Sequence, residues 1–186
     1  MAVITITRGK YSGGENVAER VAQALGARCV SDEVLREAAK QHKVSDEKLT
    51  DLFEVTPSIW ERMMDTRRQY LCYVQATLAD FARQDGLVYH GNAGQELLRG
   101  VPHALKVRLV YPVPFRVKRI MSLFNKSKEE GERMVETIDE DRTRRIRYYY
   151  NQAWWDVSRY DTAIVVDRIS DDEAVEIILK LAEKLE

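Results

Sequence analysis

Residues 2–26 read AVITITR, then GKYSGG, then ENVAERVAQALG: an apolar strand, a loop of small residues and an amphipathic helix. A helix that begins directly after such a loop aims its first backbone N–H groups into the turn, and its dipole favours an anion there. Val3, Ile4 and Ile6 make the strand, and Val17, Val21, Ala22 and Leu25 recur at helical spacing before Gly26 ends the helix. Gly9 and Gly14 have the separation of the phosphate loop G-x-x-x-x-G-K-[ST], in which the Lys meets the terminal phosphates and the hydroxyl meets magnesium. Here Glu15 stands at the Lys position and Asn16 at the Ser/Thr position. A scaffold suited to polyphosphate therefore carries a carboxylate where a cation belongs.

The rest of the chain repeats the alternation. Arg28–Val30 reads as a short second strand, followed by a helix capped by Ser31 or Asp32 and a shorter one capped by Ser45. Thr56 and Pro57 open what should be the longest helix, to about Gln84, with Trp60, Met63, Leu71, Val74, Leu78 and Phe81 as its stripe. Strands are expected over 87–90, 105–111 and 162–167, and helices over about 114–124 and 127–150. Ser127 with Glu130, and Ser170 with Glu173, form capping boxes. Short apolar strands alternating with helices define an α/β fold with a parallel sheet covered on both faces.

The 186 residues suit one domain with a substantial core, and a net charge of −1 gives no global field toward nucleic acid or membrane. The opening MAVITITRGK has too short an apolar run for a signal peptide, and no stretch reaches a bilayer span, so a cytoplasmic protein without a membrane partner is expected. Cys29 and Cys72, both expected on buried faces, provide no disulfide framework or metal quartet. His42, His90 and His103 lack the spacing of a metal site and read as ordinary surface or loop residues.

With its elements placed, the chain resembles the cytidylate kinase-like family of P-loop nucleoside monophosphate kinases. The resemblance rests on Ile4-Thr5-Ile6-Thr7-Arg8, Ser12-Gly13-Gly14, Asp32-Glu33, Gly91-Asn92-Ala93-Gly94, Arg116 with Arg119, Asp139 with Arg142, and Trp154, Asp156, Tyr160 and Asp161. The chain departs from the family pattern at Tyr11, a loop glycine there, and at Glu15, Glu33 and Asn92, which are basic residues there. The resemblance implies a three-layer P-loop NTPase-type fold, with a helical acceptor-binding segment at 45–85 and a lid at 125–156. It also implies ATP and Mg2+ as cofactors, and nucleotide substrates.

Gly13 and Gly14 allow close backbone approach to phosphate and Ser12 adds a hydroxyl, so 12–16 is the candidate nucleotide-binding loop; a ligand-free turn is the alternative. Glu15 either repels triphosphate or faces solvent as a first-turn acid that complements the helix dipole. Lys10 could then swing over the phosphates in place of the missing lysine, and the Asn16 amide could ligate magnesium. Arg142 and Arg145, three apart on one helix, would be the lid's transition-state clamps, with Asp139 serving the acceptor or positioning arginines; a solvated face of ion pairs is the alternative. Arg116 and Arg119 follow a strand's C-terminal end, the edge where ligands bind parallel sheets, or form a surface charge row. Asp32 is either an acceptor ligand or an N-cap.

The expected function is ATP-dependent phosphoryl transfer to a nucleoside monophosphate, with CMP or dCMP implied by the resemblance. The alternative is a nucleotide-binding regulatory or scaffolding protein that has lost turnover. RNA binding through the arginines and tyrosines of 142–150 is disfavoured by the acids on the same helix. Met64, Tyr70 and Tyr73 widen the apolar stripe beyond one face, which a helical acceptor segment with its own core or a homodimer would bury.

Overall fold

The computed structural model describes residues 2–54 and 66–184. Five strands form one sheet in the order β2-β3-β1-β4-β5, every pair parallel. They are β1 (Val3–Thr7), β2 (Arg28–Val30), β3 (Leu87–Tyr89), β4 (Ala104–Val110) and β5 (Thr162–Val165). β1 lies at the centre, with Val3 opposite both Leu87 and Ala104, and all five of its residues are buried. Successive side chains of a strand leave by opposite faces, so Val3 enters one core while Ile4 and Ile6 enter the other.

On the first face, α2 (Glu33–His42), α3 (Asp46–Glu54) and α4 (Thr66–Asp85) pack Val34, Leu35, Leu49, Phe53, Leu78 and Phe81 against Val30 and Leu87. On the second, α1 (Gly14–Leu25) and α8 (Asp171–Ala182) bury Val17, Val21, Val175 and Ile178 against Leu105, Leu109 and Ile164. Between them in sequence, α5 (Gly94–Leu97) is a single turn after β3, and α6 (Val113–Phe124) and α7 (Lys128–Tyr150) share a third small core of Val117, Ile120 and Val135. Truncating a fully buried side chain such as Ile120 would cost about 2–5 kcal/mol.

Both capping boxes form. Ser127 Oγ accepts from the Glu130 amide at 3.2 Å while Glu130 returns a carboxylate to the Ser127 amide at 2.8 Å, and Ser170 with Glu173 repeats the exchange at 3.3 and 2.8 Å. The described part of the helix expected to open at Thr56 and Pro57 runs Thr66–Asp85, and those two residues, Trp60, Met63 and Met64 lie outside the described residues. Of the helices described in full, α7 has 23 residues. Cys72 is exposed rather than buried, because it lies off the α4 face that carries Leu71, Val74 and Leu78 inward; Cys29 is half-buried. Tyr70 and Tyr73 pack at the edge of the first core, where Tyr73 stacks on His42 at 3.9 Å between ring centroids. No described helix is long and apolar enough to cross a membrane.

Candidate active site

The strand order reverses direction at β1, since β3 lies on one side of it and β4 on the other. The crevice at the C-terminal ends of the strands at such a point is where open α/β sheets hold ligands. Residues 8–13 leave β1 there and turn sharply into α1. Tyr11 (φ 59°) and Gly13 (φ 90°) both adopt the left-handed region, which glycine enters freely and tyrosine only with strain. The turn is tied by Ser12 N–H to Gly9 O (3.3 Å), Asn16 N–H to Gly13 O (3.1 Å) and Gly14 N–H to the buried Ser12 Oγ (3.3 Å). The amides of Ser12, Gly14 and Asn16 are thus engaged within the loop.

Guanidinium groups cover this turn. A Cβ built on Gly9 would meet Arg116 Nε at 2.9 Å, one on Gly13 would meet Arg119 Cζ at 3.0 Å, and one on Gly14 would meet Arg8 Cδ at 3.0 Å. The loop glycines therefore admit three arginines to van der Waals contact with the backbone. Arg116 is buried and held by both oxygens of Asp139, at 2.7 and 2.9 Å, a paired geometry that only a guanidinium can offer a carboxylate. Glu15 does not face free solvent. Its carboxylate is half-buried between Arg8 Nη1 (3.4 Å) and Arg119 Nη2 (3.6 Å), where one anion is held by cations from two sides.

Beyond Arg8 a cavity of about 210 Å³ opens on the α2–α3 side, lined by Arg8, Lys10, Asp32, His90, Arg142 and Arg145 among others. Arg142 Nη1 donates to the Arg8 carbonyl at 2.6 Å, and its guanidinium lies 5.0 Å from the Trp154 ring. Burial pulls its pKa down to about 10, so it remains cationic at neutral pH. Trp154 also faces the Arg108 guanidinium at 4.9 Å, and its Nε1 donates to Thr143 Oγ1 at 3.1 Å. Arg145, lowered in pKa chiefly by burial, donates to the Glu54 carbonyl at 3.2 Å. Burial, and then the charge of Arg8, hold His90 below the usual imidazole range; its Nδ1 lies 3.4 Å from Arg8 Nη2.

Several placements differ from expectation. Arg116 and Arg119 lie over the phosphate loop and do not line the cavity, because the first turns of α6 lead over Gly9 and Gly13, and Asp139 positions Arg116 there. Lys10 pairs its Nζ with Glu54 at 3.6 Å and is half-exposed; it is not drawn over the loop in this conformation. Asp32 occupies the N-cap position of α2 without a side-chain cap bond and its exposed side chain lies at the cavity, while the Glu33 carboxylate reaches back to accept from the Ser31 amide at 2.7 Å. His90 is a cavity residue, not an ordinary loop histidine. Sequence reasoning also passed over Arg8 as a site group, although its position directly after the β1 alternation was a usable signal. Arg159 and the buried Glu96 form a paired salt bridge (2.9 and 2.6 Å) that pins the chain after α7 to α5.

A glycine-rich turn at the switch point of a five-stranded parallel sheet, roofed by arginines and facing a second cationic cavity, defines a P-loop kinase-type fold. Solved structures agree at the level of fold. A protein from Eubacterium ventriosum superposes with a TM-score of 0.75 at 22% identity, covering 98% of both chains. A gluconokinase from Sinorhizobium meliloti does so at 0.59 and 18% identity, covering 99% of this chain and 95% of its own. Residues 3–168 match the model of the cytidylate kinase-like family, and the chain belongs to that family. A cytidylate kinase from Methanothrix thermoacetophila is 28% identical over 178 residues, 95% of each chain.

Proposed function

We propose that the protein transfers the terminal phosphoryl group of ATP to a nucleoside monophosphate, with CMP or dCMP as the acceptor to test first. The observation that carries this reading is that Arg8 pairs with Glu15 on the loop and also lines the cavity holding Arg142 and Arg145. A donor's phosphates over the loop and an acceptor in the cavity would meet beside it. The P–O bond to the departing ADP breaks with its electron pair on ADP, as an anionic oxygen of the acceptor phosphate forms the new P–O bond. No covalent enzyme intermediate and no general base is needed, so positioning and charge neutralisation are the enzyme's work.

The loop amides not engaged within the turn, with Arg116 and Arg119, would hold the donor; Arg142 and Arg145, on α7, would neutralise charge on the transferring group. The segment at 45–85 would form the acceptor side and 125–156 the lid. Among the described residues no cluster of three or more His, Cys, Asp or Glu could cage a metal ion. Mg2+ is usually held by substrate phosphates, waters and one or two protein groups; the exposed Asn16 amide at the first turn of α1 could serve as such a group. Bound there, Mg2+ would supply positive charge that offsets the charge of the phosphates.

Turnover of CMP, dCMP, UMP and AMP with ATP, measured beside calorimetric binding, tests the reading. Kinase activity that falls at least a hundredfold in Arg142→Ala is expected. The Glu15 carboxylate between two arginines favours one other reading, a nucleotide-binding protein without turnover, and tight binding with no product from any acceptor would establish it.

A further inference from the structure

We propose that Arg8 supplies the charge which the standard phosphate loop draws from its lysine, making it a catalytic residue of the transfer described above. The inference rests on that reading. The loop has lost its lysine to Glu15, so another cation must face the transferring group. The other cations of the site are placed differently. Lys10 is paired with Glu54, Arg116 is fixed by both oxygens of Asp139, Arg119 shares Glu15 with Arg8 but does not line the cavity, and Arg145 lines the cavity without touching the loop carboxylate. Arg142 is held on the cavity side by the Arg8 carbonyl and the Trp154 ring.

Arg8 is different in three respects. Its stem lies against Gly14, so it leaves β1 along the turn itself. Its Nη1 already holds a carboxylate oxygen of Glu15 at 3.4 Å, and Nη2 faces His90 at 3.4 Å on the cavity wall. Its backbone carbonyl anchors Arg142, so side chain and main chain of one residue link the loop to the second arginine group. The Glu15 carboxylate stands in for a phosphate: two oxygens bracketed by Arg8 and Arg119 mark where the oxygens of a terminal phosphate would be received. On transfer, the P–O bond to ADP breaks and the bond to the acceptor oxygen forms while the Arg8 fork stays on the non-bridging oxygens, a task for which its fixed planar donors are suited.

The test compares Arg8→Gln, Lys10→Gln and the double variant Arg8→Gln/Glu15→Lys, each checked for a native melting transition. Arg8→Gln should lower kcat about 10²–10³-fold, the usual effect of removing one charge-stabilising donor. It should weaken calorimetric ATP binding at least tenfold. Restoring the lysine in the double variant should recover at least tenfold of the lost kcat, a gain that a purely structural role for Arg8 would not produce. Guanidinium ion at millimolar concentration should likewise raise the rate of Arg8→Ala. The proposal is overturned if Arg8→Gln keeps kcat and ATP affinity within threefold of the parent, if Lys10→Gln falls further than Arg8→Gln, or if neither lysine nor guanidinium rescues. Should the parent protein phosphorylate no nucleotide, the kinase reading fails by itself, and the ATP affinities of Arg8→Gln and the double variant still decide whether Arg8 serves the loop.

Discussion

Glu15→Gln should tighten ATP binding, because the phosphate oxygens must compete with this carboxylate for the same two guanidinium groups. The carboxylate lies 3.4 Å from Arg8 and 3.6 Å from Arg119, and its side chain is 38% exposed. A bare Coulomb term at an effective dielectric near 20 gives roughly 4–5 kcal/mol for each pair. Solvent reduces that steeply for side chains this open, and measured ion pairs of the kind contribute about 0.5–1 kcal/mol each. Releasing both arginines from Glu15 therefore removes about 1–2 kcal/mol of competition, an approximately 5–30-fold lower Kd. Glutamine keeps the shape, so the turn should survive. Calorimetric titration with ATP at about 0.15 M and then near 0.5 M salt is the assay, and the difference between parent and variant should shrink at the higher salt. Unchanged or weaker binding in a variant that melts like the parent would refute the argument, since Glu15 would then not occupy the phosphate position.

Two further expectations follow from buried charge. Arg159→Ala strands the Glu96 carboxylate, whose side chain is 1% exposed, and breaking a buried pair in this way costs about 3–5 kcal/mol. Calorimetry should show a melting temperature lower by about 6–20 °C, while Arg159→Ala/Glu96→Leu should recover much of it. His90 is neutral in the fold and held below its ordinary value of 6.5, so the unfolded chain binds the extra proton first as pH falls. Stability should be full above about pH 6.5 and decline as pH drops toward the lower native value. Urea melts from pH 7.5 to 5 should show that slope, and His90→Gln should flatten it.

Local patterns carried most of the fold. The alternation in Val3–Thr7 and Ala104–Val110, and the paired Ser and Glu at 127, 130, 170 and 173, each have a physical cause confined to a few neighbouring residues. The site was legible only as a loop and a set of arginines. What each arginine faces depends on partners from distant segments: Arg8 meets His90 across the sheet edge, Arg116 meets Asp139 from another helix, and Arg119 meets Glu15. No spacing rule reports such pairings. The exposed Asp32 illustrates the same limit, because an N-cap signal could not tell that its side chain would make no cap bond and would lie at the cavity.

The indole of Trp154 lies between the arginine that meets the cavity and another that rises from β4, and both guanidinium groups approach within 5.0 Å of its ring. An aromatic ring so close to cations has an emission that depends on where those cations are. Movement of Arg142 onto a bound anion would change the field at the ring, so the protein contains its own optical gauge of whether Arg142 has engaged one. With Trp60 and Trp155 replaced by phenylalanine, the brightness and colour of a single natural side chain would follow site closure in real time, with no attached dye.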